Sequence, residues 1–158
     1  LDQSPSVLSF HYFIINMTHC TASEADRAAW KLVLVVVDNT LERFVLSEWL
    51  RHSDYEVLEA ATADEAIKLL SSSLRIDAVV TDMRMPGEAQ GLDLLRHLRT
   101  IFPSIYVIGV SANDLKFELE REKCPFFYKP FELGDITSLL ATFLKDSGDG
   151  DDTKEIAQ

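Results

Sequence analysis

Four polar residues each close a short, largely apolar run in this chain. Asp38 follows Leu32-Val33-Leu34-Val35-Val36-Val37, and Asp82 follows Asp77-Ala78-Val79-Val80-Thr81. Ser111 follows Ile105-Tyr106-Val107-Ile108-Gly109-Val110, and Lys129 follows Phe126-Phe127-Tyr128. Two carboxylates brought to neighbouring positions repel unless a cation sits between them. A hard divalent ion held by few carboxylates and several waters is Mg²⁺. A lysine and a hydroxyl beside that ion supply positive charge and a hydrogen-bond donor for the equatorial oxygens of a phosphoryl group. Such company points to phosphoryl transfer to or from an aspartate. Taken singly, each residue has a plainer reading: Asp38 as a helix N-terminal anion, Ser111 as a strand-end hydroxyl, Lys129 as a solvated charge. The argument rests on the set.

Residues so far apart in sequence meet only if the elements bring them together. The runs before Asp38 and Asp82 are those of strands buried on both faces. Leu41 to His52 has helical spacing, with Leu46, Trp49 and Leu50 as its core stripe. Leu41, Phe44 and Val45 widen that arc beyond one buried face, which suits a partner's helices or deeper burial. Tyr55-Glu56-Val57-Leu58 is a short strand, and Thr62-Ala63-Asp64-Glu65 is a capping box opening a helix with Ala66, Ile67, Leu69 and Leu70. Further helices span Gly91 to Ile101, Leu115 to Lys123 and Leu133 to Lys145. Five strands alternating with five helices specify an α/β domain, a doubly wound parallel sheet covered on both faces. In such sheets ligands bind outside the carboxyl ends of the strands, at the topological switch point. Asp38, Asp82, Ser111 and Lys129 all belong to that rim.

Length and charge set the bounds. The 158 residues, 47% apolar, suit one domain over residues 31–145, with an N-terminal arm (1–30) and an acidic C-terminal tail (146–158). Fifteen Lys and Arg against 26 Asp and Glu give a net charge of −11. That balance disfavours nucleic acid and an anionic lipid surface as partners. No apolar stretch approaches the ~20 residues of a spanning helix. Phe10 to Ile15 has neither a basic region before it nor a cleavage site after it, so it is not read as a secretory signal. It is read as a packed arm or as part of a homodimer interface. Cys20 and Cys124 lack metal-ligand spacing and fit a reduced, cytoplasmic chain, with Cys124 as a small buried residue. The four histidines show no ligand spacing.

The ordered motifs resemble the receiver domain of two-component response regulators, over roughly Lys31 to Lys145. The likeness is carried by Val33 to Asp38, by Val79-Val80-Thr81-Asp82-Met83-Arg84-Met85-Pro86-Gly87, by Gly91-Leu92, by Val110-Ser111-Ala112 and by Tyr128-Lys129-Pro130-Phe131. The resemblance implies a flavodoxin-like sheet of order 2-1-3-4-5. It implies Asp82 as phospho-acceptor and Asp38, Asp82 and the backbone carbonyl of Arg84 as Mg²⁺ ligands. Ser111 and Lys129 would hold the phosphoryl group, with Phe126 as the aromatic whose rotamer follows Ser111 and Lys129-Pro130 as a cis peptide. The donor would be a sensor histidine kinase or a histidine phosphotransfer protein, and the domain would catalyse only its own phosphorylation and dephosphorylation.

Two departures from the family pattern stand out. Receivers carry two adjacent acids at the end of strand one, and Val37 stands where the first should be. One residue is also inserted in Gly87-Glu88-Ala89-Gln90-Gly91. Val37 supports a second reading, a non-switching docking module; a receiver segment from a hybrid histidine kinase is a third. A phosphatase of the haloacid-dehalogenase type wants an acid two residues after its nucleophile, and Arg84 sits there instead. No helix-turn-helix region follows Lys145, which disfavours a DNA-binding regulator.

Overall fold

The computed structural model describes residues 30–85, 91–112 and 116–145. The chain divides into two units, Leu1–Trp30 and Lys31–Gln158, and the architecture below is that of the second. Residues 1–29 of the expected arm, the acidic tail and the inserted residue before Gly91 lie outside the described residues.

Strands and helices alternate along the chain. In order they are β1 (Lys31–Val36), α1 (Thr40–His52), β2 (Tyr55–Ala60), α2 (Ala63–Leu70) and β3 (Ala78–Asp82). Then come α3 (Gly91–Ile101), β4 (Tyr106–Ser111), α4 (Lys116–Arg121), β5 (Phe126–Tyr128) and α5 (Leu133–Lys145). All strand pairs are parallel, in the order β2-β1-β3-β4-β5. The expected sheet is therefore present, with β3 at its centre.

Strand alternation sorts the core into two layers. From β1, Leu34 and Val36 face one side, where Leu70, Leu94, Leu95, Leu98 and Leu119 of α2, α3 and α4 pack. Val33 and Val35 face the other side, against Leu46 and Leu50 of α1 and Ile136 and Leu140 of α5. Because both faces are covered, β1 and β3 read as continuous apolar runs rather than alternating ones.

Local chemistry fixes the helix starts. Asn39 caps α1, its side chain accepting from Leu41 N (3.0 Å) and Glu42 N (3.1 Å). Thr62 caps α2 by accepting from Glu65 N at 3.2 Å, while the Glu65 carboxylate accepts from Ala61 N at 2.7 Å. The reciprocal pair thus closes one residue earlier than a strict capping box.

The core stripe expected on α1 needs correction. Leu46, Ser47 and Leu50 face the sheet, and Trp49 is 44% exposed. Leu41, Phe44 and Val45 are also exposed, so the wide apolar arc is not taken up by deeper burial. A serine is small enough to let the helix approach the strands closely; a tryptophan there would hold it off.

Candidate functional site

Asp82, the last residue of β3, is only 5% exposed. Arg84 N donates to its Oδ1 at 2.9 Å, and Lys129 Nζ donates to its Oδ2 at 2.6 Å. The lysine is set in place by its backbone. Its N–H donates to the carbonyl of Ser111 at 2.9 Å, directly after β5, and the Lys129–Pro130 peptide is cis. Ser111 is fully buried at the end of β4, one position beyond Val110, the register partner of Asp82. Burial opposes the charge on Lys129, but hydrogen bonds to Asp82 and Glu42 outweigh it and hold the ammonium pKa above its ordinary value.

Asp38 lies two residues beyond β1, whose last register pair with β3 is Val36 with Thr81. Its turn is anchored by Arg43, whose guanidinium donates to the carbonyls of Val37 (2.6 Å) and Asp38 (3.2 Å) and sits 3.6 Å from Glu59. Among the described residues the Asp38 carboxylate has no hydrogen bond or ion pair. Gly91 presses on the site from the other side. A Cβ there would lie 1.9 Å from the Asp82 carbonyl oxygen, so no side chain fits at the first position of α3. The strand-end residues Asp82, Ser111 and Lys129 thus share one rim, with Asp38 at the neighbouring strand exit. Phe126 is half-buried, packs against the α2–α3–α4 layer and meets Tyr128 edge-on at 5.2 Å.

Sequence reading missed Glu42. Its Oε2 accepts from Lys129 Nζ at 2.6 Å, matching the contact to Asp82. An acid in a first helical turn is what the helix dipole favours in any case, so nothing in the sequence singled it out.

Hard oxygen donors at this rim fit a small divalent cation that keeps most of its waters. The donors expected from the sequence are the carboxylates of Asp38, two residues beyond β1, and of Asp82, at the end of the neighbouring β3, with the carbonyl of Arg84. Val37, 2% exposed, adds no donor, and among the described residues no group of three or more acidic, histidine or cysteine side chains is placed to hold a metal. Oxygen donors of this kind are those that magnesium takes.

Comparison with known proteins agrees with this geometry. The family model "Response regulator receiver domain" matches residues 33–141. The chain is 27% identical over 135 residues to the two-component response regulator ORR5 of Oryza sativa subsp. japonica, covering 82% of this chain and all of that one. It is 26% identical over 142 residues to the sensor protein TorS of Escherichia coli (strain K12), covering 87% of this chain but 15% of that protein. Among solved structures, the response regulator TrrA of Thermotoga maritima in complex with Mg(2+)-BeF superposes with a TM-score of 0.64 at 26% identity, covering 71% of this chain and 97% of that one. Among the described residues no helix is long and apolar enough to cross a membrane. Sheet order, strand-end residues and family match converge: the chain belongs to the response regulator receiver domains of two-component signalling.

Proposed function

We propose that this receiver accepts a phosphoryl group on Asp82 from a phosphohistidine of a sensor kinase or phosphotransfer protein. The supporting observation is the buried Asp82 carboxylate held 2.6 Å from the Lys129 ammonium at the carboxyl end of the central strand. A carboxylate oxygen of Asp82 attacks phosphorus, forming the O–P bond. The P–N bond to the donor imidazole breaks, and its electron pair stays on the ring nitrogen. Lys129 offers positive charge to the transferred oxygens, and the Ser111 hydroxyl offers a hydrogen bond. Asp38, Asp82 and the Arg84 carbonyl are the residues that would hold Mg²⁺, the ion bound by the Thermotoga relative. When bound, that ion supplies further positive charge for the phosphoryl oxygens.

The added charge of about −1.5 to −2 then re-forms the Ser111 and Lys129 contacts, with Phe126 as the aromatic that follows them. The donor's helices fit the exposed apolar face of α1, where Leu41 is 71% and Phe44 52% exposed and where Leu41 and Val45 line a groove with Pro130 and Phe131. With acetyl phosphate and Mg²⁺, intact mass should show one added phosphoryl group, and Asp82→Asn should abolish it. Unchanged mass under saturating donor would instead support a docking module that does not switch, the reading favoured by buried Val37.

A further inference from the structure

Lys129 has two carboxylate partners, and only one of them is the acceptor. Its ammonium donates to Asp82 Oδ2 and to Glu42 Oε2, both at 2.6 Å. The two acids differ in surroundings: the Asp82 side chain is 7% exposed and that of Glu42 is 50% exposed. Glu42 is fixed in the first turn of α1 by the Asn39 cap on its own N–H. It also borders the groove lined by Leu41, Val45, Pro130 and Phe131.

We propose that Glu42 is a positioning residue that shares Lys129 with Asp82 and releases it when a phosphoryl group arrives; this rests on the phospho-acceptor reading. An ammonium has three donors, and here two are committed to carboxylates. Glu42 therefore partly neutralises the Lys129 ammonium directed at Asp82, and its own charge repels an incoming phosphodonor. A phosphoryl group brings more negative charge than a carboxylate, so it outcompetes Glu42 for Lys129. Water takes over the half-exposed Glu42 at little cost. The handover leaves a free carboxylate at the mouth of the α1 groove, where a docked partner would meet it.

Phosphoryl uptake from acetyl phosphate at saturating Mg²⁺, followed by intact mass, tests this in the full chain. Glu42→Gln keeps an acceptor for Lys129 but loses the charge, and should gain the phosphoryl group about three- to tenfold faster at low salt. That difference should shrink at about 0.5 M salt, and Glu42→Asp should stay within about twofold of the wild type. Equal or slower uptake by Glu42→Gln would overturn the proposal. The pairing is also read without any donor, from urea midpoints of Glu42→Gln, Lys129→Met and the double variant. Non-additive shifts are expected, and additive ones would equally overturn it. A wild type that takes no phosphoryl group while the midpoints stay non-additive would overturn the phospho-acceptor reading and leave the shared lysine standing.

Discussion

Val37 occupies the place of an acid, and its surroundings say what that exchange does. The side chain is packed with Val33, Val35 and Leu46 in the α1–α5 layer. If Asp38 and Asp82 hold Mg²⁺, an aspartate there would add a carboxylate to the site, and two unit charges about 4–6 Å apart interact by roughly 3–4 kcal/mol at an effective dielectric near 20 before desolvation. A net gain of about 1–2 kcal/mol makes Val37→Asp bind Mg²⁺ roughly five- to thirtyfold more tightly by calorimetry. The same variant should melt lower without metal, because a buried acid then sits beside Asp82 with no cation between them. Equal affinities would show that another carboxylate already supplies the missing charge.

Helix α1 shows where sequence reading succeeds and where it stops. Its limits were legible from spacing, but its buried face was not, because apolar residues surround it on several sides. Leu50 is fully buried and Trp49 is not. Leu50→Ala should therefore cost about 2–4 kcal/mol in denaturant unfolding, and Trp49→Ala under about 1 kcal/mol. Comparable losses would mean that Trp49 is core after all. The strands were easier to read, since burial on both faces writes itself as an unbroken β-branched run. Asp38, Asp82, Ser111 and Lys129 were found because each closes a strand-like, largely apolar run, the one before Lys129 being three aromatics. Glu42 and Arg43 were not, because their roles depend on contacts to Lys129, Val37 and Glu59 that only the folded chain creates.

Stability of the whole molecule should fall on the alkaline side. Burial pushes the Cys124 thiol up to about 11, with Arg99 pulling the other way. A folded-state pKa above the unfolded value favours the protonated form, so this stabilisation is complete below about pH 9 and lost as pH rises to about 11. Two units correspond to about 2–3 kcal/mol. Tyr106, raised to about 12 by burial, and Lys129 push in the same direction at higher pH. Denaturant midpoints across pH 8 to 11 should decline, and Cys124→Ala should flatten the decline; an unchanged slope would locate the loss elsewhere. The lysine that completes the site lies 47 residues beyond Asp82 and 87 beyond Glu42. Contacts that long cost more loop-closure entropy than local ones. On the phospho-acceptor reading, chemical competence at Asp82 is therefore a census of finished molecules: any chain whose last strand has peeled away has lost the Lys129 counter-ion, whatever secondary structure it retains.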